Sequence, residues 1–177
     1  MHDVEGFGHL ANGGFRGQKA DIHEGGHRVP FIVRWPATTP PNTVNHHLIC
    51  HTDMLATFAA LTGQTVPDSQ APDSIDQSSL LTSPQLDQPL RETLITSNNN
   101  KYYGVRNGNW KLITGLGSGG FTQPRDIKPS PGGPTGQLFN LQTDPGETKN
   151  LWAEHPEIVK QLQDILTQSQ AAGSTTK

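Results

Sequence analysis

Residues 15 to 35, FRGQKADIHEGGHRVPFIVRW, join a polar, cationic loop to an apolar run. Lys19 lies within the loop, and the pair Gly25-Gly26 connects it to the apolar residues from Val29 to Val33. Such a run predicts a buried strand over Pro30 to Trp35. Because ligand sites in open α/β sheets form at strand ends, the loop predicts an anion site built on a rigid element. The pattern alone does not identify the anion.

Composition excludes several classes of protein. The chain has 177 residues, enough for about one domain with a core that needs no disulfide or metal. Its 19 glycines, 14 prolines and 32% hydrophobic content predict much loop and a modest core. The net charge of −3 and the lack of a basic run argue against nucleic-acid and membrane-surface binding. A single cysteine, Cys50, excludes an internal disulfide.

No targeting segment is recognisable. The apolar runs are too short for a membrane span, and the first residues lack the basic and apolar parts of a signal peptide. The compartment is left open, since export would require that the intact protein carry a signal peptide.

Periodicity predicts two helices and several short strands. One helix of about ten residues follows Thr52, with an apolar face of Met54, Leu55, Phe58 and Leu61, and a longer amphipathic helix begins at Pro156. Asn107-Gly108 predicts a hairpin turn. Residues 64–90 and 115–136 are predicted to be surface loops. The predicted strands after the first are Thr93 to Thr96, Tyr102 to Arg106, Trp110 to Ile113 and Gln137 to Leu141.

Four motifs in order resemble the sulfatase family. The first combines Gly17-Gln18-Lys19 with HEGGHRVPFIVRWP, residues 23–36, and is similar to the family's Gly-x-Lys and Trp-Glu-Gly-Gly-x-Arg-x-Pro segments. The others are TDMLAT at residues 52–57, VRNGNWKLI at 105–113, and QLFNL with DPGET and Asn150-Leu151 from residue 137. Together they span about residues 15 to 166, and the ordered set is far more specific than any one motif.

The resemblance implies an alkaline-phosphatase-like α/β fold that hydrolyses sulfate esters with a calcium ion and a formylglycine made from Cys or Ser. The chain departs from the family in having no Cys-x-Pro-Ser-Arg segment, and Cys50 does not fit one. The family's N-terminal Asp-Asp pair is absent, and its Asp-Asn metal ligands would be expected just upstream of Met1. The chain therefore resembles the C-terminal portion of a sulfatase, with the calcium ligands outside it and the N-terminal part of the catalytic domain as its missing partner.

The expected fold class is accordingly α/β to α+β. Residues 1–90 would form the C-terminal end of the catalytic domain and the end of its alkaline-phosphatase-like sheet. Residues 91–170 would form a small antiparallel sheet covered by a C-terminal helix, and residues 171–177 a disordered tail.

Two residues are candidates for contact with a sulfate ester, including one on a sulfated carbohydrate. The resemblance makes Lys19 the catalytic and substrate-binding lysine, and an ammonium can neutralise sulfate and stabilise a departing oxygen. His9 can donate to a sulfate or sugar hydroxyl, although a surface histidine is the simpler interpretation. Glu24 and Arg28 are expected to pair and hold the Gly25-Gly26 hinge. No metal ligand is assigned in this chain.

Clustered His46, His47, Cys50 and His51 have the side chains that bind zinc. Their adjacent pairs do not match the spaced pairs that converge on one tetrahedral ion, so zinc is disfavoured.

Two further functions remain open. One is a non-catalytic module that binds sulfated glycans through Arg16, Lys19 and Arg28. The other is a phosphodiesterase or phosphonate hydrolase of the same superfamily. On the sulfatase interpretation, the isolated chain is predicted to be inactive.

Overall fold

A computed structural model describes residues 8–9, 11–67, 69–83, 86–99 and 101–176. Within the part of the chain that the structure describes, a 3-10 turn, Glu24–Gly26, precedes the helices and strands. Among the described residues, no helix is long and apolar enough to span a bilayer. In chain order the elements are α1 (Asp53–Leu61), α2 (Ser78–Thr82), β1 (Thr93–Asn98), β2 (Tyr102–Asn107), β3 (Trp110–Ile113), β4 (Gln137–Asn140) and α3 (Pro156–Ala172).

The strands form one four-stranded sheet in the order β1-β2-β3-β4. β2 and β3 pair antiparallel with Asn107 opposite Trp110, so the hairpin loop is Gly108-Asn109. Gly108 has a φ of 55°, which a first turn residue adopts in a type II′ hairpin and which glycine tolerates without strain. The predicted hairpin is therefore confirmed, with its turn one residue later than the Asn107-Gly108 signal indicated.

The buried core is centred on this sheet. Ile113, Phe139 and Leu141 pack with Ile22, which comes from the loop of the opening stretch, and Tyr102 packs against them. In α3 the predicted apolar stripe is confirmed, because Val159, Leu162 and Leu166 are buried. The expected small antiparallel sheet followed by a C-terminal helix is thus present.

Two compact units divide the chain, one comprising Met1–Val29 with Ile95–Ile165 and the other Pro30–Leu94 with Leu166–Lys177. The first unit holds most of the sheet and the loop of residues 15–28. In this division the loop of residues 15–28 groups with the sheet, whereas the predicted domains of residues 1–90 and 91–170, which stay a prediction, would separate the two. Ile22 explains the difference, since its side chain is fully buried in the sheet core.

A buried ion pair lies inside the second unit. Asp53 and Arg91 are 0% and 1% exposed, and Arg91 Nη2 lies 2.5 Å from Asp53 Oδ1. Asp53 also accepts hydrogen bonds from the backbone N–H groups of Cys50 and Ile75 and from the Gln77 amide. These bonds satisfy the carboxylate and fix the start of α1.

The predicted strand over Pro30 to Trp35 is not formed. These residues are extended but belong to no sheet, and Ile32 is 89% exposed. A strand requires a neighbour to accept and donate backbone hydrogen bonds, and the described residues provide none for this segment.

Helix α1 has its predicted extent but not the orientation that its pattern implies. Its buried residues are Asp53 and Thr57, whereas Leu55 and Phe58 are 53% and 59% exposed. The expected N-cap, Thr52, makes no side-chain cap hydrogen bond, and Asp53 bonds to the Cys50 N–H instead. The apolar face therefore points away from the interior of its own unit.

Polar contacts involve the described residues of the expected 171–177 tail, and Lys177 lies outside the described residues. α3 extends to Ala172, and Ser174 Oγ donates to the Pro72 carbonyl at 2.6 Å. Thr175 donates to Asp73 Oδ1 through its N–H and its hydroxyl. These polar contacts order the residues that follow the helix.

We expect Asp53→Ala to lower the free energy of unfolding by about 3–5 kcal/mol, because it leaves the Arg91 guanidinium buried without its counter-charge. Urea denaturation measures the change. Lys160→Ala is the matched control, since it breaks an exposed ion pair with Asp164 and should have little effect. Equal effects of the two substitutions would contradict a structural role for the buried pair.

Candidate anion-binding site

Lys19 lies in a tight turn of the 15–28 loop. The Asp21 N–H donates to the Gln18 carbonyl at 2.9 Å, and the Gln18 N–H donates to the Asp21 carboxylate at 2.9 Å. The Lys19 side chain is exposed and, within the described part of the chain, its ammonium has no hydrogen-bond or ion-pair partner. The turn therefore presents a free cation on a fixed backbone.

Asp21 connects this turn to the glycine-rich loop of residues 115–136. Its buried carboxylate accepts the N–H groups of Phe121 at 2.7 Å and Thr122 at 3.1 Å, together with the Thr122 hydroxyl. Burial alone would raise the pKa of Asp21, but the Thr122 hydroxyl and the backbone N–H groups outweigh it and lower that pKa. The carboxylate thus stays charged and holds the two loops together.

Asn98, on β1, adds a second connection between the same loops. Its side-chain amide donates to the Ala20 carbonyl at 3.2 Å and to the Ser118 carbonyl at 3.1 Å. The Ile22 N–H also donates to the Ser118 carbonyl at 3.0 Å. The 115–136 loop has no helix or strand, yet its Ser118 to Thr122 part is held beside the Lys19 turn.

A buried charged cluster connects the other end of the 15–28 loop to the sheet. Lys111 Nζ, on β3, lies 3.0 Å from Glu24 Oε1 and 2.9 Å from Glu147 Oε1. The Glu24 N–H donates to Glu147 Oε2 at 2.6 Å, and Arg28 Nε pairs with Glu24 Oε2 at 2.7 Å. The predicted pairing of Glu24 with Arg28 is confirmed, and Lys111 and Glu147 extend it into a network.

The two carboxylates of this cluster respond differently to burial. Burial would raise the pKa of Glu24, but the Lys111 ammonium and the Arg28 guanidinium outweigh it and lower the pKa to about 2. Burial raises the pKa of Glu147 in spite of the same ammonium. Glu24 is therefore the firmly ionised partner of Lys111.

Close backbone packing requires the two glycines of the hinge. A Cβ on Gly25 would lie 2.6 Å from the Gly17 carbonyl oxygen, and a Cβ on Gly26 would collide with the Asp21 carbonyl oxygen. The hinge thus folds back onto the Lys19 turn at a distance that only glycine permits. This packing holds the hinge against the Lys19 turn although the loop contains no strand or α-helix.

The histidines of the region have different environments. His23 is buried, its Nε2 lies 3.4 Å from Gln137 Oε1, and burial together with the nearby Arg16 lowers its pKa to about 4. Burial also lowers the pKa of His27. His9 is exposed, and no contact in the described structure connects it to the Lys19 turn.

The proposed cationic patch of Arg16, Lys19 and Arg28 is largely committed to internal contacts. Arg16 Nη1 donates to the Glu147 carbonyl at 2.9 Å. The Arg28 guanidinium lies 4.2 Å from the centroid of the Phe15 ring while it pairs with Glu24. Of the three, only Lys19 has no hydrogen-bond, ion-pair or ring partner among the described residues.

The described residues do not fit a metal site. No group of three His, Cys, Asp or Glu side chains among them could hold an ion. The Asp21 oxygens accept N–H and hydroxyl donors, and the Glu24 oxygens face Lys111 and Arg28, so neither carboxylate is available to calcium. Cys50 Sγ lies 2.8 Å from the Thr52 hydroxyl. We therefore assign no calcium or zinc ligand to this part of the chain.

Sequence reasoning missed three residues that organise the site, namely Asp21, Lys111 and Glu147. Each of the three lies within residues 15–35 or within one of the four motifs. The family resemblance was therefore the only feature of the sequence that drew attention to them. Their spacing along the chain, 87 residues from Lys111 to Glu24 and 123 from Glu147 to Glu24, gives no local pattern.

Comparison with known proteins identifies the class to which this fold and loop belong. Residues 16–172 match the family described as N-sulphoglucosamine sulphohydrolase, C-terminal, and the chain therefore belongs to this sulfatase family. It is 35% identical over 170 residues to the N-acetylgalactosamine-6-O-sulfatase of Bacteroides thetaiotaomicron, a match that covers 90% of this chain and 30% of that protein.

Solved structures agree with this assignment. A structure described under the metabolism of multiple glycosaminoglycans by Bacteroides thetaiotaomicron superposes with a TM-score of 0.78 at 33% identity, covering 93% of this chain and 34% of that one. A Pseudoalteromonas sulfatase shares the fold with a TM-score of 0.72 at 23% identity, covering 89% of this chain and 32% of its own. The chain thus spans about a third of the length of the relatives that it matches.

The buried His23 makes stability depend on pH. Its folded pKa of about 4 lies below the ordinary value of 6.5, so the unfolded chain binds the extra proton between these values and stability falls as pH falls through that window. The loss attributable to His23 should reach about 3 kcal/mol by pH 4. Urea denaturation of the wild type and His23→Gln at pH 7, 5.5 and 4 measures it. Parallel pH profiles would show that His23 is not held neutral.

Proposed function

We propose that this chain is the C-terminal portion of a sulfuric ester hydrolase acting on a sulfated carbohydrate, and that Lys19 contacts the sulfate. The observation that carries the proposal is the unpaired Lys19 ammonium on a turn held by Asp21 on one side and by the Gly25-Gly26 hinge on the other. Because the backbone of the turn is already held, anion binding has only to order the Lys19 side chain. Membership of the sulfatase family supports sulfate as that anion.

Lys19 has two tasks in this proposal. Its ammonium neutralises the bound sulfate, and it stabilises the negative charge that develops on the departing oxygen. His9 is proposed as a second group that donates to sulfate or to a sugar hydroxyl. The nucleophilic formylglycine and the calcium ligands are assigned to the rest of the sulfatase, since the described residues do not fit a metal site.

The glycine-rich loop is proposed to border the leaving-group side of the site. Asp21 holds the Phe121 and Thr122 backbone beside the Lys19 turn, while the Phe121 side chain remains 56% exposed. An exposed aromatic ring beside a sulfate contact can pack against a sugar face. The related N-acetylgalactosamine-6-O-sulfatase makes 6-sulfated N-acetylgalactosamine the first substrate to test.

Two alternative functions can be distinguished from a sulfatase. A glycan-binding module would rely on Arg16, Lys19 and Arg28 together, but Arg16 and Arg28 are held by Glu147, Phe15 and Glu24. A phosphodiesterase of the same superfamily would keep the fold, and the sulfatase names of the relatives favour sulfate over it.

The 177-residue chain alone should show no turnover of an aryl sulfate in the presence of calcium, because the groups proposed to attack sulfur and bind the metal lie outside it. A continuous aryl sulfate assay on the purified chain measures this. Clear turnover that tracks with the chain through purification would refute the proposed location of the nucleophile.

In the full-length product of the gene, Lys19→Ala should lower kcat/KM for 6-sulfated N-acetylgalactosamine by about 10²- to 10³-fold, because a charge that stabilises the transition state is lost. Lys160→Ala, an exposed lysine in α3, is the matched control and should retain activity. Activity of Lys19→Ala close to that of the control would exclude the proposed role. A higher kcat/KM for an aryl phosphodiester than for sulfate esters would favour the phosphodiesterase alternative.

A further inference from the structure

Gln137, at the start of β4, is buried, and both polar groups of its side chain have partners. Its amide nitrogen donates to the Gly115 carbonyl at 2.9 Å and to the Gly117 carbonyl at 3.0 Å. Its Oε1 lies 3.4 Å from His23 Nε2. A buried amide is costly to desolvate, so its contribution here is directional: it connects two carbonyls of one loop to a ring on another.

These contacts fix the protonation of the His23 ring. Because both N–H groups of Gln137 point at carbonyl oxygens, its Oε1 faces His23 and can only accept a hydrogen bond. Nε2 of the ring therefore carries the proton, and Nδ1 is a buried acceptor without a hydrogen-bond partner among the described residues. An unpartnered buried nitrogen is costly, so the bond made by Nε2 is what accounts for an imidazole at this position.

The two carbonyls that Gln137 binds lie at the stem of the glycine-rich loop. Residues 120–123, which include the exposed Phe121, form the tip of this loop. Backbone hydrogen bonds close the stem between them, with N–H donors at Ser118, Gly119 and Ile127 and carbonyl acceptors at Pro124, Arg125 and Leu116, respectively. Gln137 thus anchors to β4 the part of the loop from which the tip projects.

Stem and tip are both connected to the loop that carries Lys19. The tip is held by Asp21, which accepts the Phe121 and Thr122 N–H groups. The stem is held through Gln137 by His23, two residues after Asp21. The position of the Phe121 ring relative to Lys19 is therefore set from both ends of the glycine-rich loop.

We propose that Gln137, oriented by His23, is a positioning residue that gives the site its selectivity for a sugar leaving group. It acts through the stem on the tip, where Phe121 is proposed to border the sugar, so the inference rests on the proposed function. A displaced tip should weaken the contact with a sugar. The contact of Lys19 with sulfate should persist, since the bonds within its own turn and the hinge glycines still hold that turn.

Gln137→Leu, which keeps the approximate size of the side chain and removes its hydrogen bonds, tests this selectivity in the full-length product of the gene. Its kcat/KM for 6-sulfated N-acetylgalactosamine should fall by about 10- to 100-fold, because a displaced contact misaligns the substrate. Its kcat/KM for an aryl sulfate should change by less than about threefold, since an activated leaving group depends little on contacts beyond the sulfate. Gln142→Leu, at an exposed position just after β4, is the matched control and should leave both values unchanged.

Substitutions of His23 separate the hydrogen bond from packing. His23→Phe keeps a ring but leaves the Gln137 oxygen without its donor, so it should reproduce the loss of selectivity. His23→Gln supplies an amide N–H in place of Nε2 and should retain most of the selectivity. A wild-type ratio of the two kcat/KM values in His23→Phe would overturn the proposal. If Gln137→Leu does not fold, His23→Phe, which leaves Gln137 in place, provides the same comparison.

NMR and hydrogen exchange on the 177-residue chain give readouts that do not require activity. Long-range ¹H–¹⁵N correlations of the His23 ring should show the proton on Nε2 and none on Nδ1 at pH 7. The Ser118 and Gly119 amides should exchange at least about tenfold faster in Gln137→Leu than in Gln142→Leu, because the stem has lost its anchor. A proton on Nδ1, or equal exchange in the two variants, would overturn the positioning role.

The outcomes separate this inference from the proposed function. A wild-type protein that hydrolyses neither sulfate ester would refute the function, and the ring protonation and amide exchange would still decide whether Gln137 positions the loop. An active sulfatase in which Gln137→Leu changes both kcat/KM values equally, or changes neither, would refute the selectivity role alone.

Discussion

The contact of the Lys111 ammonium with the carboxylates of Glu24 and Glu147 is the interaction on which the site depends. Without that ammonium, two buried carboxylates would face each other, and both could not stay ionised. The cluster is costly to desolvate, so it is not an efficient source of stability. Its directional contacts instead fix one position of the 15–28 loop on β3, which an apolar contact would specify less well.

The second unit combines a buried ion pair with large apolar residues on its surface. Its interior contains the Asp53–Arg91 pair, while Ile32, Leu55 and Phe58 are exposed. Each of these apolar residues obeys the periodicity of its own segment, so the sequence is locally consistent and only the burial is missing. The apolar pattern of the strand predicted over Pro30 to Trp35 and of α1 is thus present in the sequence, although the strand is not formed and the pattern is not buried.

Features encoded within a single segment could be predicted from the sequence. The apolar stripe of α3, the β2–β3 hairpin and the extent of α1 each follow from residues a few positions apart. The strand predicted over Pro30 to Trp35 failed because its hydrogen-bonding partner is not among the described residues. The Lys111 and Glu147 contacts were also missed, because charges 87 and 123 residues from Glu24 produce no local periodicity. Family motifs indicated where these residues lie, but not that their charges are buried together.

The fixed backbone of the Lys19 turn explains how the proposed activity could be shared between this chain and the rest of the sulfatase. Asp21, Asn98 and the hinge glycines fix the backbone of the turn within the first unit, so the cost of placing the ammonium is reduced to the rotamer entropy of one lysine. On the proposed function, the nucleophile and the calcium ligands come from the rest of the sulfatase, and the turn contributes the cation that holds the sulfate.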